Sequence, residues 1–184
     1  MNSEAKGNQL NSRIIGLDIL RSMAILFVLY NHSLIILRGN GFLFFKPLIF
    51  DGVNLFFVLS GFLIGKIIFN TFEKNLSSKS LVNFWLFRAF KIIPSYILVL
   101  FCVIVLSRIT QLSMDSFSIK YFFFSQNLLE SHPDFFKEAW SLSVEEWFYF
   151  TFPLLFFILA KVFKNLKLSA FICVSIFIIF SFTL

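Results

Sequence analysis

Charge is what this sequence has little of: Asp, Glu, Lys and Arg make up 14% of it, against about a quarter in soluble globular domains. With a mean hydropathy of +0.85, that shortage excludes an ordinary water-soluble fold. Cysteine is scarce too. Cys102 and Cys173 both sit inside apolar runs, where a thiol behaves as a small hydrophobe and not as a metal ligand or surface disulfide partner. No pattern recurs at a fixed period, which excludes solenoids and propellers. The first apolar run, of about 24 residues, is longer than a signal-peptide core, and no small-residue cleavage site follows it. It is therefore expected to stay in the protein.

What the sequence does have is thirty phenylalanines with abundant isoleucine and leucine, arranged in runs near the 18 residues or so that a helix needs to cross a bilayer. After a polar segment, residues 1–13, spans are expected at 14–37 and 53–69. A third run begins near Trp85 and is interrupted by Arg88, Lys91 and Pro94, so that its crossing part is expected at 92–106. Further spans are expected at 139–163 and 166–184. Residues 71–80 read as a solvated connection. The longest polar stretch, 107–138, contains Tyr121 and three phenylalanines fit for a surface or re-entrant helix at the membrane interface. The fold class is all-α, a polytopic transmembrane helical bundle of about five spans.

The net charge of +6 does not argue for nucleic acid, because the basic residues lie between the apolar runs, where they orient spans and meet anionic head groups. If the spans alternate from a cytoplasmic N-terminus, Lys6, Arg13, Lys66, Lys74, Lys79, Arg88, Lys91, Lys161, Lys164 and Lys167 fall inside. Arg38, Lys46, Arg108, Lys120 and Lys137 fall outside. Ten against five favours that orientation in a cytoplasmic (inner) membrane.

Three residues of the first span do not belong in lipid. Asp18, Arg21 and His32 would each be costly facing hydrocarbon, about 2.5 to 3.5 kcal/mol for a central arginine or aspartate. Asp18 and Arg21 are separated by an i,i+3 step, and eleven residues at about 100° each return from Arg21 to nearly the same angle at His32. One helix face therefore carries all three. Arg21 and His32 would stand roughly 16 Å apart along the axis, suited to opposite ends of an extended ligand. Taken singly, an Asp18–Arg21 ion pair and a snorkelling histidine explain each residue as well. Their common face favours function.

The fourth span repeats the pattern: Ser141, Glu145 and Tyr149 are spaced i, i+4, i+8 in AWSLSVEEWFYF, with Glu146 following. Glu145 is placed to orient a catalytic group or to pair with Arg21, Arg88 or Lys91. Arg88 and Lys91 share a face near a cytoplasmic boundary, suited to phosphates or to anchoring the span. Asp51, Gly52 and Asn54 open the second span, and the pair Ser60–Gly61 lies within it, where small residues let helices approach.

In order, LDILRSMAILFVLYNH, FDGVNLFFVLSGFLIG, FWLFRAFKIIPSY and AWSLSVEEWFYF resemble the acyltransferase-3 family of membrane O-acyltransferases over about residues 14–159. The resemblance includes the arginine, ten residues, histidine spacing of Arg21 and His32. It implies that 14–184 is the N-terminal part of a membrane acyltransferase domain of about ten spans in a bacterial inner membrane. It also implies transfer of an acyl group, commonly acetyl from acetyl-CoA, to a hydroxyl of a surface glycan, antibiotic or lipid-linked sugar. No bound cofactor is implied, since acyl-CoA is a substrate. The expected catalytic residues are then His32, as the base, and Glu145, while Asp18, Arg21, Arg88, Lys91 and Ser141 are the expected substrate or donor contacts. A neutral imidazole suits deprotonation of a sugar hydroxyl, and arginine and lysine suit CoA phosphates.

The sequence departs from the family pattern at Asn54, where many relatives have aspartate, and in its five spans, about half the usual complement. A fragment or truncated product is expected, with a C-terminal half or partner subunit to complete it. The rival readings are a non-catalytic membrane subunit and a small transporter using the same polar face. The four ordered motifs argue against the transporter.

Overall fold

The structure, a computed structural model, describes residues 15–39, 52–110, 117, 119–127 and 134–183. The N-terminal segment 1–13 and Asp51 lie outside them. The described elements are helices α1 (Ile15–Gly39), α2 (Gly52–Lys74), α3 (Ser78–Ile109), α4 (Ala139–Phe163) and α5 (Leu166–Thr183), with two 3-10 turns, Ile119–Phe123 and Asp134–Phe136, before α4. Among the described residues there is no strand. Helices α1 to α4 are long and apolar enough to cross a membrane, and α5 is apolar over Leu166–Ile179. The all-α, multi-span expectation is met.

The chain divides into two compact units, Met1–Leu63 and Ile64–Leu184. In the first, the start of α2 rests on the backbone of α1. A Cβ at Gly52 would lie 2.5 Å from the Ala24 carbonyl oxygen and 2.9 Å from Val28 Cγ2, so only glycine permits this approach. The close contact expected at Ser60–Gly61 is not seen at the glycine: a Cβ there meets nothing within 4 Å among the described residues.

The second unit is built on aromatic packing. Ile64, Ile68 and Phe72 of α2, Leu81 of α3, Tyr149, Phe152, Phe156 and Ala160 of α4 and Cys173 of α5 form its main core. Phe72 meets Phe156 with ring centroids 5.4 Å apart, and Phe148 meets Phe177 at 5.5 Å. The turn between α4 and α5 is two residues long. Lys164 takes a left-handed conformation, φ 51°, and its N–H donates to the Ala160 carbonyl at 3.1 Å. Asn165 then caps α5, its Oδ1 accepting from the Leu168 N–H at 3.2 Å.

Helix α3 corrects the expected interruption of the third span. It runs unbroken for 32 residues with Pro94 inside it, starting at Ser77, whose Oγ accepts from the Ser80 N–H at 3.2 Å. The connection expected at 71–80 shrinks to residues 75–77. At 1.5 Å per residue, α3 is about 48 Å long, more than a hydrocarbon core of about 30 Å. Its N-terminal part, with Lys79, Arg88 and Lys91, thus has length to spare beyond an apolar crossing.

Helix α4 also contains a proline, Pro153. Lacking an N–H, it leaves the carbonyl of residue 149 without its i→i−4 partner. The Trp85 indole N–H of α3 donates to that oxygen at 3.3 Å, while the Trp85 ring stacks on Phe150 with centroids 4.9 Å apart.

The surface or re-entrant helix expected within 107–138 is, in the described residues, the pair of 3-10 turns. Tyr121, in the first of these turns, is fully buried. Its carbonyl accepts from the Tyr96 hydroxyl at 2.8 Å, and its own hydroxyl accepts from the Phe136 N–H at 3.3 Å. This second, smaller core joins Tyr96 and Leu100 of α3 to the start of α4 at Ala139.

Candidate functional site

On α1 the inner face is marked by Asp18 and Arg21, both half-buried, and by buried Ala24. The Arg21 Nε and the Asn31 Oδ1 are buried with no hydrogen-bond partner among the described residues. His32 stands at the exposed margin of that face. Its Nδ1 is 2.9 Å from the Val28 carbonyl. A carbonyl can only accept, so this contact requires the proton on Nδ1 and leaves the lone pair of the neutral ring on Nε2. That is the tautomer a general base needs when its outer nitrogen faces the substrate.

The second polar group lies between α3 and α4. The Arg88 guanidinium stacks on the Tyr149 ring, 3.6 Å from its centroid, and sits 3.6 Å from Glu145 Oε1. The Tyr149 hydroxyl donates to that same carboxylate oxygen. Arginine, glutamate and tyrosine therefore hold one another in fixed geometry, with side-chain exposures of 21% for Arg88 and 14% for Glu145. Of the partners considered for Glu145, Arg88 is the one seated beside it within the second unit. Ser141 precedes Glu145 by one turn and its Oγ is 3.4 Å from the Glu138 carbonyl. Lys91 lies one turn beyond Arg88 and is exposed. Asp18, Arg21 and His32 belong to the first unit, and Arg88, Lys91, Ser141 and Glu145 to the second.

Four residues matter here that the polar stripe did not bring forward. Ser143, 1% exposed, donates its hydroxyl to the Phe124 carbonyl, and the Trp147 indole N–H donates to the same oxygen at 3.0 Å. Phe124 presents that carbonyl from a left-handed backbone, φ 53°, a conformation uncommon for a bulky side chain. Glu146, next to Glu145, faces an open cavity of about 280 Å³ lined by Ile93, Phe123, Phe124, Trp147 and Phe150. The available signal for Glu146 was its place as the second glutamate of the VEE run in the fourth span.

Residues 14–184 match the model of a family described as an acyltransferase domain. The chain is 31% identical over 167 residues to the peptidoglycan O-acetyltransferase OatA of Listeria monocytogenes, covering 83% of this chain and 25% of that protein. It is 29% identical over 164 residues to the O-acetyltransferase OatA of Staphylococcus aureus, covering 81% and 26%. The chain thus spans about a quarter of the length of these relatives. No solved structure matches.

Proposed function

Because this chain belongs to the acyltransferase-3 family, we propose that it takes part in O-acetylation of peptidoglycan, moving an acetyl group from acetyl-CoA to a glycan hydroxyl. The observation that carries this reading is the family match along 14–184, joined to similarity to a peptidoglycan O-acetyltransferase of Listeria monocytogenes. The residues give it a chemistry. His32 Nε2 takes the proton of the acceptor hydroxyl as its oxygen attacks the thioester carbonyl. The C–S bond breaks, and the proton passes to the departing sulfur, leaving an acetyl ester and free CoA.

In this reading Arg88 and Lys91 pair with the phosphates of the donor, the guanidinium bidentately and the ammonium as a point charge. Glu145 and Tyr149 act through Arg88: they fix the plane of the guanidinium before a phosphate arrives, so they are positioning residues. Asp18, Arg21 and Ser141 complete the substrate contacts. Orientation follows the basic residues, with the N-terminus and the donor on the cytoplasmic side of the cytoplasmic membrane. Membrane lipid surrounds the helices.

Transfer from labelled acetyl-CoA to a glycan acceptor, in membranes carrying the chain, tests the donor assignment. Arg88→Ala should raise KM for acetyl-CoA by about tenfold or more, the worth of one charge-assisted contact. An acetyl thioester of a dephospho-analogue of CoA should lose part of that discrimination, because it lacks a phosphate for the pair. An unchanged donor KM in both Arg88→Ala and Lys91→Ala would remove the pair from the donor site.

A further inference from the structure

Glu146 has no part in the reaction as drawn above, yet its setting is that of a ligand contact. Its Oε1 is buried with no hydrogen-bond partner among the described residues, and a buried carboxylate oxygen left unpaired is costly. The residue lines a cavity of about 280 Å³ whose other walls are Ile93, Phe123, Phe124, Trp147 and Phe150. Trp147 and Phe150 meet at an interplanar angle of 87°, so the cavity has an aromatic corner. The Trp147 indole N–H is already spent on the Phe124 carbonyl. The polar side chain this cavity offers is therefore a hydrogen-bond acceptor, set among apolar and aromatic surfaces.

Three kinds of occupant meet that description unequally. A lipid acyl chain would cover the walls but leave the carboxylate without a donor. A quaternary or primary ammonium would suit aromatic walls and a carboxylate, but the Arg88 guanidinium already stands 3.6 Å from the adjacent Glu145 carboxylate and opposes a second cation. A neutral ring with an apolar face and outward hydroxyls satisfies both the walls and the acceptor. The volume, at the lower end for ligand pockets, suits one sugar ring.

We propose that the cavity between Ile93, the 3-10 turn at Phe123–Phe124 and the Glu146–Phe150 turn of α4 is a subsite for one pyranose ring, whose hydroxyl donates to the Glu146 carboxylate. Ser143 and Trp147 keep the wall in place by clamping the Phe124 carbonyl onto α4. The inference rests on the acetyl-transfer reading for naming this ring as part of the glycan acceptor. The hydroxyl-binding chemistry itself does not.

The test is calorimetric titration of the chain in nanodiscs with a β-1,4-linked N-acetylhexosamine disaccharide, with tetramethylammonium in a parallel arm. Glu146→Leu should weaken disaccharide binding by about tenfold or more, and Glu146→Gln, which keeps an acceptor oxygen, by no more than about threefold. Phe123→Ala, on an exposed wall residue, should weaken it without loss of helicity. Disaccharide binding unchanged in Glu146→Leu, absent from the wild type, or replaced by Glu146-dependent binding of tetramethylammonium would each overturn the proposal. Acetyl transfer measured on the same samples separates the two readings. Glu146-dependent binding without any transfer sinks the reaction and leaves the subsite standing. Transfer with an acceptor KM unaltered by Glu146→Leu sinks the subsite alone.

Discussion

Arg88 shows how three side chains make one rigid group. Its guanidinium has an aromatic face beneath it and a carboxylate beside it, and Tyr149 donates to that carboxylate from the same ring. Removing the negative charge leaves a half-buried guanidinium poorly compensated. Glu145→Gln should therefore destabilise the protein by about 2 kcal/mol and lower transfer, whereas Tyr149→Phe, which keeps the ring under the cation, should cost about 1 kcal/mol. Thermal unfolding in detergent together with acetyl-CoA KM checks both; equal effects of the two substitutions would contradict the arrangement. The stripe Ser141, Glu145, Tyr149 could be read from helical period alone, as could the common face of Asp18 and Arg21. Ser143 and Asn31 could not. Ser143 lies on the side of α4 away from that stripe, and it is buried because a distant 3-10 turn covers it. No local period encodes such a contact.

At the scale of elements, the prolines are the instructive case. A proline in a soluble helix usually ends or kinks it, and on that rule Pro94 with Arg88 and Lys91 marks a broken third span. Helix α3 instead continues through it, as membrane-type helices allow when neighbouring groups satisfy the freed backbone. Pro153 shows one such satisfaction, since its orphaned carbonyl at residue 149 takes the Trp85 indole N–H. Trp85→Phe should cost about 1 to 2 kcal/mol, and less in a Pro153→Ala background, where the helix supplies its own N–H again. A double-mutant cycle by denaturant unfolding should give a coupling of about 1 kcal/mol; simple additivity would show that the indole contact is incidental.

Glycine gives a second comparison between elements. Gly52→Ala pushes a methyl group into the Ala24 carbonyl and should destabilise the α1–α2 contact by about 1 to 3 kcal/mol. Gly61→Ala meets nothing within 4 Å and should be neutral or stabilising by up to about 1 kcal/mol through helix propensity. Proteolysis of the two variants in detergent checks this, and equal sensitivity would contradict the packing at Gly52. The sequence placed both glycines in one apolar span without separating them, because close approach depends on where α1 runs.

For the molecule as a whole, scarcity of charge led directly to a membrane bundle, and four helices have the length and apolarity to cross. The few polar residues left inside those helices are then the informative ones: His32 on α1, with its proton directed to Nδ1 by the Val28 carbonyl, and the Arg88–Glu145–Tyr149 group between α3 and α4. The chain belongs to the acyltransferase-3 family along 14–184, and the proposed acetyl transfer takes His32 as its base. The decisive measurement is the O-acetyl ester content of peptidoglycan in cells lacking their own peptidoglycan O-acetyltransferase and expressing either this chain or its His32→Ala variant at equal membrane abundance. The wild-type chain should restore ester, and His32→Ala should reduce the gain by about a hundredfold or more, the worth of a general base. Ester restored equally by the variant would contradict the account.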